Sequence, residues 1–544
     1  MEEYPELLRT LLLNRGITTK DEAERFLYPD YERDLHDPFL ILHMERAVER
    51  ILKAVADQEK IVIWGDYDCD GIPGSVVLHD FFQKIGYAHF SNYIPHRYLE
   101  GYGLNIPGIE KLAAEGAKLI VTVDSGITDV EQVARANELG VDVIVTDHHL
   151  PQEVLPNAYA VLNSKQAEDT YPFPFLSGAG VAFKLVQALL LRGGFDVKTG
   201  WEKWLLDVAG LSTIADMVPL VGENRALAHF GLRVLRRTPR LGLQALYRNA
   251  RLNPDHLTED DVGFTIGPRI NAASRMGEPI RAFEMLSTRD PLAAGMMAAY
   301  LEEKNDERKY VVSEMIAEVD ALVAARSTEP VLVVGSPSWR PGVVGLAASR
   351  IVERYGRTAF VWGGEGCSDL KGSCRSDGTV NIVELMRNAE AETFLGFGGH
   401  EQAGGFSVHR DRIGALEERL MVAHRATAPL SKGKSERLVD AALSLDAVTW
   451  DTYRLIEQLA PYGEGNPKPI FSFEVRPTAS RRFGKKKEHL EVTFKKESGE
   501  PVNAIQFFSS NELPRPGEKM SMLAHIEKNT FKRTPELRLR IVEA

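Results

Sequence analysis

The sequence has few cysteines and no long apolar run, and each absence excludes a class of protein. Its three cysteines, Cys69, Cys367 and Cys374, form no CxxC pair and have no zinc-like spacing. A disulfide framework is therefore excluded, and a reducing compartment is indicated. No apolar run approaches the roughly 18 residues of a membrane span, and the acidic start lacks the basic region of a secretory signal. We expect a cytoplasmic protein that does not contact membranes.

Negative charge exceeds positive charge, except at one end of the chain. The net charge is −12 over 544 residues. Residues 475–544 nevertheless hold 15 Lys and Arg against 9 Asp and Glu, which leaves −18 for the remainder. Binding to nucleic acid depends on a local basic face rather than on total charge. The distribution therefore permits a nucleic-acid partner without requiring one.

An apolar run starting at Ile61 leads into three carboxylates at alternate positions, Asp66, Asp68 and Asp70. In extended backbone, alternate residues point to the same side, so we expect all three to face one small volume. Like charges so close either raise one another's pKa or require a cation, and hard divalent cations bind carboxylate oxygens in this way. The alternative is a solvated acidic turn after a buried strand.

Two more apolar runs end in acidic residues, one at Asp124 and one at Asp147, which two histidines follow. Continuous apolar runs favour a buried parallel sheet, in which ligands bind at the carboxyl ends of the strands. Asp216 lies in a further apolar segment, where an unpaired carboxylate is costly. We expect these groups to converge on two metal ions. An oxygen-rich set with one imidazole favours Mn²⁺ or Mg²⁺ over zinc or copper.

Eight motifs carry a family resemblance. Four of them resemble, in the same order, those of the DHH phosphoesterase superfamily: Gly65-Asp-Tyr-Asp-Cys-Asp-Gly71, Val123-Asp-Ser-Gly126, Asp147-His-His149 and Ala215-Asp-Met-Val-Pro219. The other four narrow the resemblance to the RecJ-type single-stranded-DNA exonucleases: Asn92-Tyr-Ile-Pro-His-Arg-Tyr-Leu-Glu-Gly-Tyr-Gly103, Gly267-Pro-Arg-Ile-Asn-Ala-Ala-Ser-Arg-Met276, Ser338-Trp-Arg-Pro-Gly-Val-Val-Gly345 and Gly398-Gly-His-Glu-Gln-Ala-Gly-Gly405. The family usually has His where Arg340 stands and Gly where Ser274 stands.

The resemblance implies a 5′ to 3′ exonuclease. Such an enzyme hydrolyses single-stranded DNA to 5′-mononucleotides with two Mn²⁺ or Mg²⁺ ions, in repair and recombination. It also implies roles for the acidic residues. Asp124 would bridge the two ions, Asp70, His148 and Asp216 would complete one site, and Asp68, aided by Asp66, the other. Asp147 would orient a ligating imidazole, and His149 would face the phosphate.

The resemblance further implies substrate contacts outside the metal site. Arg97, Ser373 and Arg375 would hold the terminal 5′-phosphate, for which the bidentate arginine fork is apt. The glycine-rich segment from Gly396 would let backbone amides approach phosphates, although such clusters also form ordinary tight turns. The full set of expected substrate-binding residues is Arg97, Arg269, Asn271, Arg275, Ser373, Arg375, Gly398, Gly399 and His400.

The expected architecture is an α/β multidomain protein with four parts. Residues 1–279 form a DHH parallel-sheet domain with a helical N-terminal extension, and helical periodicity predicts a long connecting helix over 280–325. Residues 326–430 form an α/β domain like the DHH-associated domain, DHHA1. Alternating segments over 436–544 predict a small β-barrel of the OB fold, which binds single strands by charge and base stacking. Its stacking candidates are Phe483, Phe508 and Phe531, set among Arg482, Lys485, Lys486, Lys487, Lys532 and Arg533.

Two other functions compete with this interpretation. One is another DHH phosphodiesterase that hydrolyses nanoRNA or cyclic dinucleotides, but the connecting helix and basic β-domain exceed what a short substrate needs. The other is a non-catalytic single-strand-binding protein on the same fold, which the complete ligand motifs disfavour. We expect a monomer whose partners include single-stranded DNA, a single-strand-binding protein and a helicase.

Overall fold

The computed structural model describes residues 1–323, 329–430, 439–484, 487–509, 512–529 and 535–543. The chain divides into two compact units. The larger comprises Asp37–Asp216 and Gly231–Lys434, and the smaller comprises Met1–His36, Met217–Phe230 and Ser435–Ala544. No helix of the described residues is both long enough and apolar enough to cross a membrane.

Helices and strands alternate through most of the chain. The α-helices are α1 Glu6–Leu13, α2 Lys20–Leu27, α3 Tyr31–Asp34, α4 Met44–Ala56, α5 Gly71–Lys84, α6 Ile106–Ala114, α7 Val130–Glu138, α8 Gly178–Arg192, α9 Leu206–Ala215, α10 Gly222–Leu235, α11 Leu241–Ala250, α12 Glu259–Asp261, α13 Gly267–Met276, α14 Ile280–Ser287, α15 Pro291–Val323, α16 Pro341–Tyr355, α17 Ile382–Arg387, α18 Leu416–Ala426 and α19 Trp450–Glu457. The strands are β1 Lys60–Gly65, β2 Phe90–Tyr93, β3 Ala117–Val123, β4 Asp142–Thr146, β5 Ala160–Leu162, β6 Val331–Ser336, β7 Thr358–Gly363, β8 Leu370–Arg375, β9 Gly396–Gly399, β10 Ala403–Val408, β11 Ala441–Ala442, β12 Phe471–Val475, β13 Ala479–Phe483, β14 His489–Lys495, β15 Pro501–Gln506, β16 Met520–Asn529 and β17 Glu536–Glu543.

The larger unit contains the predicted parallel sheet. Its strands lie in the order β2-β1-β3-β4-β5, and every neighbouring pair is parallel. The strands are apolar runs because both faces are covered: Trp64 and Ile120 pack with Ile109 of α6 and Val133 of α7. Helix α5 is buried along most of its length. This arrangement brings the carboxyl ends of β1, β3 and β4 to one edge, as the sequence predicts.

A second sheet in the larger unit has the order β6-β7-β8-β10-β9, in which β6 and β7 are parallel and the other pairs antiparallel. Helix α15 precedes it and spans 33 residues. The predicted connecting helix is therefore present, but it begins at Pro291, because the separate helix α14 ends at Ser287. Residues 324 and 325 of the prediction lie outside the described residues.

The smaller unit combines a mixed sheet with helices from the start of the chain. Its strand order is β11-β12-β16-β17-β15-β14-β13 among the described residues. Leu8, Leu11 and Leu12 of α1 share one apolar core with Phe471 and Phe473 of β12. The sequence predicts that the N-terminal helices extend the parallel-sheet domain, whereas in the structure residues 1–36 belong to the same unit as the C-terminal strands. Periodicity identifies an apolar helix face but not its distant partner.

Candidate active site

Three aspartates follow directly after three neighbouring parallel strands. Asp66 follows β1, Asp124 follows β3 and Asp147 follows β4. The backbone amide of Asp66 donates to the carbonyl of Val123 over 3.1 Å, and that of Asp124 to the carbonyl of Thr146 over 2.9 Å. The strand ends are thus hydrogen-bonded to one another, and they fix the carboxylates at one edge of the sheet.

The first acidic segment converges by a turn rather than by strand alternation. Strand β1 ends at Gly65, so the expectation that extended backbone carries Asp66, Asp68 and Asp70 to one side is wrong. The Asp68 carboxylate instead accepts backbone hydrogen bonds from Asp70 at 2.8 Å and from Gly71 at 3.2 Å. A Cβ at Gly71 would lie 2.6 Å from the Asp66 backbone nitrogen, which explains the glycine.

Asp70 is held at the N-terminus of α8. Its carboxylate accepts hydrogen bonds from the backbone amides of Gly178, at 2.6 Å, and Ala179, at 2.8 Å, and from the hydroxyl of Ser212. The amides at a helix N-terminus favour an anion. Sequence reasoning missed these three residues, although the segment Ser177-Gly-Ala-Gly180 is a recognisable helix start.

Asp124 and His148 lie at the centre of the acidic cluster. Nε2 of His148 lies 3.2 Å from Oδ1 of Asp124, 3.4 Å from Oδ2 of Asp70 and 3.7 Å from Oδ2 of Asp216. The backbone of Asp124 is left-handed, with φ of 60°. A Cβ at Gly178 would meet the Asp124 Cβ at 2.6 Å, so a glycine is needed for this close approach.

The cluster contains three groups whose ligand atoms all lie within 4.8 Å of one another: Asp66 with Asp68 and Asp124, Asp70 with His148 and Asp216, and Asp124 with His148 and His149. Asp124 and His148 each belong to two groups. This grouping agrees with the predicted bridging role of Asp124, which remains a prediction.

The electrostatics fit divalent cations. Oδ1 of Asp66 and Oδ1 of Asp124 are buried and accept no hydrogen bond. Burial, and then the neighbouring Asp70, raises the pKa of Asp124 well above its usual range. The same two causes raise the pKa of Asp216 to about 9. Buried carboxylates that repel one another are stabilised by positive charge, and hard oxygen ligands with one imidazole suit Mn²⁺ or Mg²⁺.

Asp147 orients the segment that carries both histidines. Its carboxylate accepts backbone hydrogen bonds from Ile127, His148 and His149, and its Oδ1 lies 2.8 Å from Nδ1 of His149. Burial raises the pKa of Asp147, but the contact with His149, together with the amide of Ile127 and the charge of His148, makes the net direction downward. Asp147 therefore stays ionised and fixes the His149 ring.

Two further side chains at this edge were missed by sequence reasoning. Nζ of Lys165, just after β5, donates to the backbone carbonyl of His148. The Tyr102 hydroxyl donates to the carbonyl of Asp124 at 2.9 Å and lies 3.1 Å from Nδ1 of His149. Lys165 follows the end of a parallel strand, as the aspartates do. Its place after an apolar run could therefore have identified it from the sequence.

The predicted substrate-binding residues of α13 lie beside the acidic loop. Oδ1 of Asn271 accepts the backbone N–H of Cys69 at 2.9 Å. Arg275 donates to the carbonyl of Gly342 at 2.8 Å. Arg269 is instead engaged in a bidentate ion pair with Glu302, at 2.6 and 2.8 Å. The guanidinium of Arg97 lies 4.7 Å from the ring centre of Tyr67.

In the second sheet, Ser373 and Arg375 lie together on β8. Nη1 of Arg375 donates to the Ser373 hydroxyl at 3.0 Å, and a Cβ at Gly345 would touch both side chains. Gly398 and Gly399 belong to the exposed edge strand β9, and the exposed His400 follows it. These positions are compatible with the predicted phosphate contacts but do not test them.

The two residues that depart from the family pattern, Arg340 and Ser274, both make contacts with neighbouring groups. Arg340 forms ion pairs with Glu307 of α15 at 2.6 Å and with Glu365 at 3.0 Å. Its guanidinium is therefore already paired with carboxylates. The Ser274 hydroxyl donates to the carbonyl of Asn271 at 3.2 Å within α13.

In the smaller unit, two of the stacking candidates lie near one another. The His489 ring centre is 5.0 Å from that of Phe483 and 4.9 Å from that of Phe508, which is 76% exposed. Lys487 and Arg482 also lie in the described chain. The other candidates lie outside the described residues, namely Phe531, Lys485, Lys486, Lys532 and Arg533.

Comparison with known families agrees with this architecture. Residues 60–213 match the DHH family, N-terminal domain; residues 328–423 match the DHHA1 domain; and residues 439–543 match the RecJ OB domain. The fold and the acidic site thus define a DHH-family protein with an associated DHHA1 domain and an OB domain.

Individual relatives narrow this class. The chain is 36% identical to the single-stranded-DNA-specific exonuclease RecJ of Bacillus subtilis (strain 168), over 99% of this chain and 68% of that protein. The chain belongs to the RecJ family of single-stranded-DNA-specific exonucleases. Two crystal structures of RecJ from Thermus thermophilus each cover 99% of the chain. The complex with Mn²⁺ has a TM-score of 0.80 at 29% identity and the complex with Mg²⁺ a TM-score of 0.76 at 27% identity, over 75% and 74% of those chains.

Proposed function

We propose that this protein is an exonuclease that hydrolyses phosphodiester bonds of single-stranded DNA from the 5′ end and releases 5′-mononucleotides, with a role in repair and recombination. The observation that carries the proposal is the group of buried carboxylates and His148 at the carboxyl edge of the parallel sheet, in a chain of the RecJ family. The protein named in that comparison acts on single-stranded DNA.

The residues that would hold two Mn²⁺ or Mg²⁺ ions are Asp68, Asp70, Asp124, His148 and Asp216, with Asp66 beside them. When bound, two such ions activate water as a nucleophile and stabilise the negative charge that develops on the scissile phosphate. Asp124, which belongs to two of the ligand groups, would be shared. Ser212 and the amides of α8 hold Asp70 in place.

His149 would contact the scissile phosphate rather than a metal. Burial lowers its pKa, but the contact with Asp147, together with the charges of Asp70 and Asp68, makes the net direction upward. Nδ1 faces Asp147, which leaves Nε2 to donate to a phosphate oxygen. Asp147 thus acts through the orientation of its neighbour.

The remaining predicted residues would hold the strand. Arg97, Ser373 and Arg375 would bind the terminal 5′-phosphate, and Asn271 and Arg275 would support the neighbouring phosphate. Arg269, which is paired with Glu302, would act through the position of α13. The exposed edge strand at Gly398 and Gly399, and the exposed His400 that follows it, would contact the nucleic-acid strand.

The 5′-phosphate pocket has a direct test. Arg375→Ala should reduce the ratio of kcat/KM for 5′-phosphorylated over 5′-hydroxyl oligonucleotides, because a bidentate phosphate contact is lost. The measurement compares both ends in one strand sequence. The control is Arg387→Ala, which removes the same charge outside the predicted pocket. An unchanged ratio would remove Arg375 from the pocket.

One assay separates the candidate activities. End-labelled DNA and RNA oligonucleotides of graded length are incubated with Mn²⁺ or Mg²⁺, and the products are resolved by size. Release of mononucleotides from the 5′ end of long DNA supports the proposal. Hydrolysis confined to the shortest oligomers or to cyclic dinucleotides would indicate the other phosphodiesterase class, and binding without cleavage would indicate a non-catalytic protein.

We further propose that the enzyme acts as a cytoplasmic monomer that receives its strands from a helicase and a single-strand-binding protein. The basic excess of residues 475–544 supports a contact with single strands. Light scattering of the purified protein tests the monomer, and co-sedimentation with each candidate partner tests the contacts.

A further inference from the structure

The long helix α15 packs through an apolar stripe that is interrupted at one place. The buried apolar residues of α15 follow one another at helical spacing, namely Ala294, Ala298, Leu301, Met315, Val319 and Val323. Between Leu301 and Met315 the same face carries Asn305 and Arg308, followed by Val312. A polar pair at this point of a packing face does not follow from the helix itself.

Both residues carry buried polar atoms that have no hydrogen-bond partner. Asn305 is 1% exposed, and neither its amide nitrogen nor its carbonyl oxygen has a hydrogen-bond partner. Nε of Arg308 is buried and also unpartnered. Buried polar groups that are left without a hydrogen-bond partner are destabilising. Their retention on a packing face therefore indicates a ligand rather than a contribution to stability.

The surroundings of Arg308 are positive. Burial, followed by Arg269 and Arg350, lowers its pKa, and burial, followed by Arg97 and Arg308, lowers the pKa of Arg275 to about 9. Arg269 and Arg350 have carboxylate partners, Glu302 and Glu353. Among the described residues, no carboxylate forms an ion pair with Arg97, Arg275 or Arg308. Arginine remains charged at neutral pH, so the cluster requires an anion.

We propose that Arg308, supported by Asn305, forms an additional phosphate-binding subsite beside Arg275. The ligand is a phosphate group of the nucleic acid, either the terminal 5′-phosphate or an internal phosphodiester. This inference rests on the proposed exonuclease function. Arg308 would contact the phosphate. Asn305 lies one helical turn earlier, where its free carbonyl can accept from Nε and orient the guanidinium fork.

The test compares Arg308→Ala and Arg308→Lys with Arg354→Ala. Arg354 is also a cation of this unit, but it forms an exposed ion pair with Asp320. Binding is measured by fluorescence anisotropy without metal on 5′-phosphorylated and 5′-hydroxyl DNA of several lengths, over a range of salt. Turnover of the same strands is then measured with Mn²⁺. If wild type shows no turnover, the proposed function fails, whereas the subsite is judged from binding alone.

Arg308→Ala should weaken binding about tenfold, the cost of one charge-assisted hydrogen bond. The slope of log K against log salt should become less negative by about 0.7, the value for one phosphate contact on a single strand. A loss confined to 5′-phosphorylated ends assigns the terminal phosphate, and a loss on both ends assigns an internal one. Arg308→Lys should recover only part of the affinity, because it keeps the charge without the fork.

Stability gives an independent readout. A structural arginine would destabilise the protein when removed, whereas one without partners should leave Tm unchanged or raise it in Arg308→Ala. Affinity and salt slope equal to those of Arg354→Ala on every strand would overturn the subsite. A clear fall in Tm in both Arg308 variants, with wild-type affinity, would overturn it as well and assign Arg308 to packing.

Discussion

At the scale of single residues, Asp124 combines a left-handed backbone with a buried carboxylate that accepts no hydrogen bond at Oδ1. Non-glycine residues rarely adopt this conformation, and strain of this kind concentrates at functional sites. Asparagine tolerates left-handed backbone better than alanine does. Asp124→Asn is therefore the variant that separates chemistry from folding.

We predict that Asp124→Asn keeps the fold and lowers kcat more than about a hundredfold, the loss that even the outer partners of metal ligands reach. The measurement is turnover at saturating Mn²⁺, together with circular dichroism and Tm. Because the substitution removes a repelling buried charge, Tm in the absence of metal should be unchanged or higher. Turnover near the wild-type rate would exclude a shared ligand at this position.

A second residue-scale prediction concerns Asp129, which holds the segment that follows Arg97. Its carboxylate accepts the backbone N–H of Leu104 at 2.8 Å. Burial raises the pKa of Asp129 to about 6, although the hydrogen bond from Leu104 acts in the opposite direction. Since the unfolded value is about 3.9, the folded protein binds the proton more tightly. The free energy of unfolding therefore falls as pH rises from about 4 to about 6, and this contribution is constant above that range.

Asp129→Asn should remove this loss while keeping an acceptor for Leu104. We expect the variant to be more stable than wild type by about 3 kcal/mol at pH 8, and by about half of that at pH 5. Thermal unfolding of both proteins at the two pH values is the measurement. An equal difference at both values, or a destabilised variant, would contradict the raised pKa of Asp129.

The acidic residues were predictable because each follows an apolar run, which a parallel sheet brings to one edge. The local backbone that brings these carboxylates together could not be predicted from the apolar runs. Asp68 and Asp70 reach the site through a turn, and Asp70 depends on α8, more than 100 positions later in the chain. Unpartnered groups such as those of Asn305 become visible only when their surroundings are known.

At the scale of elements, Arg340 joins the start of α16 to the middle of α15 through Glu307, and also contacts Glu365. We predict that Arg340→Ala lowers the free energy of unfolding by about 1 kcal/mol, because partly exposed ion pairs contribute little. The preference for a 5′-phosphate should not change, since this guanidinium is already paired. Thermal unfolding and the kcat/KM ratio for the two ends measure both effects.

The control is the double variant Arg340→Ala with Glu307→Ala. If the ion pair accounts for the loss, the double variant should lose less stability than the sum of the losses in the two single variants. A changed end preference in Arg340→Ala would instead place this arginine at the phosphate.

Prediction of elements succeeded where periodicity was strong and failed where it was weak. The alternating segments predicted over 436–544 include β12, β14, β15 and β17. Strand β13, Ala479–Phe483, was missed because its exposed sequence Ala-Ser-Arg-Arg-Phe lacks apolar alternation. Strand β13 is held by its antiparallel backbone pairing with β14, and not by a preference of its own residues for extended structure.

At the scale of the whole molecule, the composition of the smaller unit determines how it can be removed. Deletion of residues 435–544 alone would leave Leu8, Leu11 and Leu12 without their apolar partners. Each fully exposed leucine side chain costs roughly 1.5–3 kcal/mol. We predict that this deletion increases dye binding to exposed apolar surface and aggregation, and that a deletion that also removes residues 1–36 shows less of both.

The double deletion then tests the role of the basic C-terminal domain. We predict weaker binding to long single strands and a flatter salt dependence, because phosphate contacts are lost. Hydrolysis of the shortest oligomers should survive, since the acidic site lies in the larger unit. If the folded double deletion kept the wild-type ratio of long-strand to short-strand turnover, the C-terminal domain would have another role.

The shared core of α1 and β12 also affects biosynthesis. Leu8 leaves the ribosome more than 450 residues before its partner Phe471. At about 5–20 residues per second, the first helices wait on the order of a minute for that strand. During this time the larger unit can fold, while the amphipathic α1 has no native partner available. We expect the nascent N-terminus to be the segment most dependent on chaperones, and its cross-linking to a ribosome-associated chaperone should end once β12 has emerged.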